Sequence, residues 1–204
     1  MNRLAVIGAG GHTRSLINLL LCRFDSDEIS IFDDSFKKET DEKILSCSVY
    51  GKISHIDSRF QVVVSIGDNQ RRKHYFLKFQ KQIFKENLFH KSSMVEQSAR
   101  LGVSNQVFAN SYINSLACIG SNNIINSSSI IEHDCIIGSH NHISVGAIVC
   151  GKSHIGNGCF IGAGAIINNR IAIGDNVLIG SGSVVTKDIV NPGVYVGVPA
   201  RRIK

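Results

Sequence analysis

The sequence lacks the marks of several protein classes. Its longest apolar run near the start, Leu19-Leu20-Leu21-Cys22, is four residues long, far short of the roughly 20 a membrane-spanning helix needs. No signal-peptide pattern is present. The six cysteines (Cys22, Cys47, Cys118, Cys135, Cys150, Cys159) form no C-x-x-C and no paired spacing, which argues against a thiolate metal site, a dithiol redox motif and a disulfide framework. There is no tryptophan and there are only 2 prolines, and charged residues are 19% of the chain against 43% hydrophobic. That balance excludes a disordered chain. The expectation is a reduced cytoplasmic protein with free thiols and no membrane insertion. The formal charge of +6 suits an anionic partner, but no nucleic-acid-binding motif or basic recognition helix appears, so small phosphorylated molecules are expected and nucleic acid is not.

What is abundant is glycine, 19 residues, 14 of them after residue 100. The same region carries a period of six. Val95, Leu101, Val107, Ile113, Ile119, Ile125, Ile131, Ile137, Ile143, Val149, Ile155, Ile161, Ile167, Ile173, Ile179 and Val185 are all Ile, Leu or Val, types that supply only 56 of the 204 residues. Neither a helix nor a simple strand repeats every six. A period of 18 lies over it: Leu101-Gly102, Ile119-Gly120, Ile137-Gly138, Ile155-Gly156 and Ile173-Gly174. Small residues precede the aliphatics (Ser93, Ser111, Ser129, Ala147, Ala165, Ser183), and an asparagine row runs Asn105, Asn123, Asn141. A stacked coil of three short strands explains both periods, with the aliphatic inside each face and a turn-compatible residue near each corner. This predicts a parallel β-helix of about five coils. The period does not give its handedness.

The N-terminal half is built differently. Leu4-Ala5-Val6-Ile7 reads as a buried strand, Gly8-Ala9-Gly10-Gly11 as a turn, and Thr13 to Cys22 as a helix. Ile29-Ser30-Ile31-Phe32 and Val62-Val63-Val64-Ser65-Ile66 read as further strands. A basic amphipathic helix is expected after Gly67-Asp68-Asn69, through about Lys85. This order implies a small Rossmann-like α/β unit. The expected domains are 1–90 and 91–204.

Three places could carry chemistry. Gly8-Ala9-Gly10-Gly11-His12 lacks the third glycine of a dinucleotide fingerprint, where Thr13 stands, so a redox cofactor is not expected. A glycine turn before a helix can still cradle phosphate; the alternative is a tight turn with no ligand. Ile131-Glu132-His133-Asp134 concentrates ionisable groups on coils otherwise rich in Ser, Asn and Gly. A histidine suits general base catalysis, and an adjacent carboxylate can orient it. His140 and His142 alternate, a poor geometry for one metal, and the three spaced histidines of a carbonic anhydrase on the same prism are missing. No metal is expected. Gly162, Ala163 and Gly180 are small enough for a slender ligand to approach the backbone. Cys135 falls in a small interior slot and reads as a packed thiol.

These motifs carry a resemblance. The [LIV]-G-x-x-x-x pattern over residues 95 to 200 resembles the hexapeptide-repeat acyltransferases, whose prism is a left-handed β-helix and whose active form is a trimer. Val6-Ile7-Gly8-Ala9-Gly10-Gly11-His12, Phe32-Asp33-Asp34 and Ile66-Gly67-Asp68-Asn69 with Arg72 resemble the sugar O-/N-acyltransferases related to bacillosamine and perosamine N-acetyltransferases and sialic acid O-acetyltransferases. The resemblance implies that Gly10, Gly11, His12, Asp33, Asp34, Gly67 and Asn69 bind a nucleotide-linked sugar. It implies that His133 is the base, with Asp134 its helper and Glu132 the alternative. His142 would meet the acetyl-CoA thioester or pantetheine, alongside Gly151, Gly162, Ala163 and Gly180. Separately, a backbone N–H near Gly151 could stabilise the oxyanion, and the sequence does not fix which one. The segment Gly197-Val198-Pro199-Ala200-Arg201 is similar to the family's closing G-x-P-A-[KR], a lip over coenzyme A with Arg201 or Arg202 near its phosphates.

The expected function is therefore acetyl-CoA-dependent N-acetylation of a nucleotide-linked 4-amino-4,6-dideoxy sugar in bacterial surface glycan biosynthesis, by a homotrimer with acetyl-CoA as donor. The alternatives are a sialic acid type O-acetyltransferase and a non-catalytic trimeric scaffold that binds nucleotide sugars.

Overall fold

The computed structural model describes residues 3–36 and 42–204. The chain divides into two compact units, Met1–Lys85 and Glu86–Lys204. In the first, five strands form one sheet: β1 (Arg3–Ile7), β2 (Ile29–Phe32), β3 (Lys43–Ile44), β4 (Cys47–Val49) and β5 (Phe60–Val64). Their order is β3-β4-β2-β1-β5. β1 is parallel to both β2 and β5, with Val6 opposite Ile31 on one side and Val63 on the other. Leu4, Ala5, Val6 and Ile7 are fully buried, which is why this strand reads as a continuous apolar run.

Helix α1 (Gly11–Leu20) follows β1 and buries Thr13, Leu16, Ile17, Leu19 and Leu20, largely one helical stripe. It begins two residues earlier than the glycine turn led us to expect, because Gly10 is its N-cap. Helix α2 (Asn69–Lys78) follows β5, capped by Asp68, which accepts from the Arg71 N–H. It stops well before Lys85. The chain must return to the sheet, where Ile83 bridges Val62 and is buried with Phe84. The β3–β4 hairpin was not anticipated. Its turn residues Leu45 and Ser46 have φ of 48° and 73°, a conformation that Asn and Gly usually mark.

The second unit is a parallel β-solenoid of the left-handed β-helix type. Its first strand is Leu88–Phe89, paired with Gln106–Val107. Rungs pair with the residue 18 further on, as in Ile113↔Ile131 and Ile137↔Ile155, until the last coil, where the offset shortens to 16, as in Ile179↔Tyr195. Three sheets of six, five and eight strands make the faces, so the stack is taller than the five coils expected. The aliphatic row from Val107 to Val185 fills the interior with exposures of 0–4%. Asparagine side chains climb one corner. Asn105 donates to Asn87, Asn123 to Asn105, and the Asn141 and Cys159 backbones to the next asparagine below. These contacts satisfy polar groups that burial would otherwise leave unpaired.

The corners follow the same clock. From Ser104 to Gly182, every sixth residue has a positive φ. Glycine fills only some of these positions; Leu116, Asp134, His140, Lys152 and Arg170 fill others. The glycines of the 18-residue row have another cause. A Cβ on Gly120 would lie 2.7 Å from the Gly138 carbonyl oxygen, and one on Gly138 2.6 Å from that of Gly156. Successive coils approach too closely there for any side chain. Among the described residues, no helix is long and apolar enough to cross a membrane.

Candidate active site

In the N-terminal unit the expected binding residues gather at the carboxyl ends of β2, β1 and β5, where open parallel sheets bind ligands. Three loops are tied together there. The Ala9 N–H donates to Asp33 Oδ2 at 2.8 Å, and the Thr13 hydroxyl donates to the Gly8 carbonyl at 2.8 Å. Asp33 Oδ1 accepts from the backbone and hydroxyl of Ser35. Burial alone would raise the Asp33 carboxyl, but the Ser35 and Ala9 hydrogen bonds and the charge of Arg71 outweigh it and hold it below the usual carboxylate range. Asp34 accepts from the Ile53 N–H at 2.9 Å. Both aspartates thus brace backbone.

The glycines at this edge differ in kind. Gly8 has φ 110°, and a Cβ on it would lie 2.6 Å from the Ser65 carbonyl oxygen. It is required by the turn. At Gly10, Gly11 and Gly67 a Cβ would meet nothing within 4 Å; the space beside them is open. The α1 N-terminus has no side-chain cap and no acidic residue in its first turn, which leaves it fit for an anion. His12, half-buried, is the second residue of that turn. Arg72, on α2, is fully buried and donates to the Ile66 and Gly67 carbonyls and to Asn69 Oδ1 at 2.7 Å. It thereby fixes the loop that carries Gly67 and Asn69. Burial pushes its guanidinium down to about 9, the nearby Asp68 opposing.

On the solenoid, His133 stands at the corner after the Ile130–Ile131 strand. Its Nδ1 lies 2.8 Å from Asp134 Oδ2. Asp134 occupies the left-handed corner position, φ 58°, which aspartate tolerates. Of the two candidate helpers, Asp134 holds the ring. Glu132 turns elsewhere: Oε2 accepts from Asn114 Nδ2 at 2.6 Å and weakly from the His133 N–H at 3.3 Å. Half of the His133 side chain is exposed, so its Nε2 side can meet a substrate.

His142 lies on another face, in the eight-stranded sheet. Its Nε2 is 3.2 Å from Asn126 Nδ2, and its ring meets Phe160 edge-on at 5.0 Å. Gly162 and Gly180 face their own upper coils, Gly162 the Ile179 carbonyl and Gly180 the Val196 side chain. Ala163 accepts from the Gly182 N–H. The tail closes as a hairpin. Gly193–Val196 runs parallel to Val177–Ile179, and Arg201–Arg202 folds back antiparallel. The Arg202 guanidinium donates to the Lys204 and Pro192 carbonyls, and Arg201 Nη1 to the Ala200 carbonyl. Cys135 is fully buried, its thiol pushed up to about 11 by desolvation, and so is no nucleophile at neutral pH. Among the described residues, no group of three or more His, Cys, Asp or Glu side chains is placed to hold a metal ion.

Residues 3–79 match the family model of the PglD N-terminal domain, and residues 152–187 that of the bacterial transferase hexapeptide. The first match falls on the N-terminal unit and the second on part of the solenoid. Solved structures extend the likeness over its whole length. The acetyltransferase domain of PglB from Neisseria gonorrhoeae, in complex with acetyl coenzyme A, is 28% identical, with a TM-score of 0.88 and 100% of both chains covered. PerB from Caulobacter crescentus, in complex with CoA and GDP-perosamine, is 29% identical, with a TM-score of 0.90, covering 100% of this chain and 98% of that one. A Caulobacter GDP-perosamine N-acetyl transferase variant with one histidine replaced by alanine, again with CoA and GDP-perosamine, is 28% identical at a TM-score of 0.89, with the same coverage. A comparison with curated protein sequences finds no match.

The sequence missed some of the site. Nothing in the hexapeptide pattern singles out Asn126 beside His142, or Asn114 beside Glu132. Both asparagines look like ordinary corner residues until the coils are stacked. In the N-terminal unit the buried hydroxyl of Ser65 has no hydrogen-bond partner among the described residues. Its place at the end of β5, beside the glycine turn, is set by tertiary pairing alone.

Proposed function

We propose that this protein is an acetyl-CoA-dependent N-acetyltransferase of a nucleotide-linked 4-amino-4,6-dideoxy sugar, acting in the cytoplasm in surface glycan synthesis. The observation that carries the reading is the full-length likeness, at 28–29% identity, to structures that hold acetyl-CoA in one case and CoA with GDP-perosamine in the other. GDP-perosamine is itself such an amino sugar. The His133–Asp134 pair supplies the base that amide formation needs.

In the reaction the sugar amine attacks the thioester carbonyl carbon. His133 Nε2 takes the proton that the nitrogen loses, and Asp134 steadies the resulting imidazolium. The Gly151 N–H faces the developing oxyanion. The carbon–sulfur bond then breaks, and the proton passes from His133 to the departing thiolate of CoA. Transfer is direct, with no acyl-enzyme. His142, Gly162, Ala163, Gly180 and Arg201 receive the coenzyme. Gly10, Gly11, His12, Asp33, Asp34, Gly67 and Asn69 receive the nucleotide sugar, its phosphates at the α1 N-terminus.

The working form is a homotrimer. Its support is one solenoid face whose outward positions, Met94, Tyr112, Ile130, Ile148, Ile166 and Val184, form an apolar column on paired rungs. A monomeric chain would leave that column in water.

The test is CoA release with acetyl-CoA and paired nucleotide sugars that differ only in carrying an amine or a hydroxyl at C4, across UDP, dTDP, GDP and CMP carriers. Release with one or more amines and none of the hydroxyls supports the reading. Release with hydroxyls alone makes the protein an O-acetyltransferase. No release with any acceptor, together with nucleotide-sugar binding, makes it a scaffold.

A further inference from the structure

Glycines in this fold have three identifiable causes, and Gly151 obeys none of the common ones. It is not among the residues with positive φ, unlike Gly146, Gly158, Gly164 and Gly182. It does not face the backbone of the next coil, as Gly120 and Gly138 do. The three atoms nearest a Cβ on it would instead all belong to one side chain. His133 Nε2 would be 2.7 Å away, Cε1 2.9 Å and Cδ2 3.3 Å. Ordinary carbon contacts sit at about 3.5–4.0 Å. Residue 151 is 18 beyond residue 133, the same corner one coil on, and Lys152 N–H donates to the His133 carbonyl there at 2.9 Å.

We propose that Gly151 is a positioning residue for His133: its missing side chain is the seat on which the imidazole lies. The ring is then held from two coils at once. Asp134 grips Nδ1 at 2.8 Å from the ring's own coil, and the bare backbone of Gly151 supports the Nε2 edge from the next. Half of the side chain stays exposed, so the seat can fix orientation and still leave room for an acceptor. This deepens the reading of His133 as the base and rests on it. It is separate from any use of the Gly151 N–H, because it concerns the space above the α-carbon.

The test is a double-mutant cycle of Gly151→Ala and His133→Ala, read as kcat and KM for both substrates, with thermal melts. The backbone accepts alanine at 151, and the half-exposed ring can yield, so the variant should fold like the parent. A ring moved by about 1 Å should lower kcat by about 10²-fold, with both KM values near the parent's. In the His133→Ala background Gly151→Ala should do nothing further. An equal loss in both backgrounds would overturn the proposal, since Gly151 would then act without His133. So would a wild-type kcat for Gly151→Ala while His133→Ala is inactive, a result that leaves the base assignment standing. Wild-type kcat in His133→Ala would instead remove the base and the seat together. A crystal structure of Gly151→Ala gives a readout without substrate: the His133 ring should be displaced from Asp134, and a ring in its original place would also overturn the proposal.

Discussion

The two units use their polar groups in opposite ways. In the N-terminal unit the site aspartates are turned onto the chain itself. Asp33 is occupied by Ala9 and Ser35, and Asp34 by Ile53. What stays open there is backbone, beside Gly10, Gly11 and Gly67. In the solenoid the backbone is paired rung to rung, and what stays open is a side chain, the half-exposed His133 held by Asp134. Recognition of a phosphate can be assembled from loop backbone and a helix end. Proton transfer needs one titratable group held on a rail that does not move. On the proposed reading, binding falls to the first unit and chemistry to the second.

The sharpest break of that division is His133→Ala. It should lower kcat by roughly 10²–10⁴, the usual worth of a positioned base, with melting temperature unchanged, since the ring lies outside the interior row. Steady-state kinetics on the true acceptor checks it; near-native kcat would mean that an already deprotonated amine reacts unaided. Next comes the rail itself. Gly138→Ala should destabilise the solenoid by about 1–3 kcal/mol, because its Cβ meets the Gly156 backbone, and a melt that matches the parent would show the coils can part. Asp134→Asn keeps a residue suited to the left-handed corner, so the fold should hold while kcat drops about tenfold. That is smaller than the base itself, since the carboxylate only orients and polarises the ring.

The smallest effect belongs to the first unit. Asp33 has a lowered folded pKa, so its stabilising contribution is present above the unfolded carboxylate value, about 3.9, and is lost as pH falls through the folded one. Asp33→Asn should cost about 1 kcal/mol at neutral pH and flatten the loss of stability below pH 4. Thermal melts of the full chain at neutral and acid pH measure both; a variant with the parent's acid dependence would show that the Asp33 bonds do not hold the loop.

Legibility also differed between the units. The solenoid was readable because each residue of its six-step row answers to the same interior, so Val107 and Val185 repeat one physical demand. Its corners were readable only in part: Leu116 and Arg170 take the left-handed position that Gly146 takes, and no local signal marks them. In the first unit β1 and β2 were plain apolar runs, but the end of α2 was set by Ile83 returning to Val62, a contact between residues far apart in sequence. The Glu-His-Asp cluster was visible as composition. The choice of Asp134 over Glu132 came from the resemblance and not from composition, because it depends on the left-handed turn at Asp134 and on Asn114 one coil below drawing Glu132 away.

The division of labour is tested most directly by the kinetic signatures of His12→Ala and His133→Ala, measured side by side with acetyl-CoA saturating. The account predicts a raised KM for the nucleotide sugar with a small change in kcat for His12→Ala, and a fallen kcat with little change in KM for His133→Ala. A collapsed kcat at unchanged KM in His12→Ala would bring the first unit into the chemistry and contradict it.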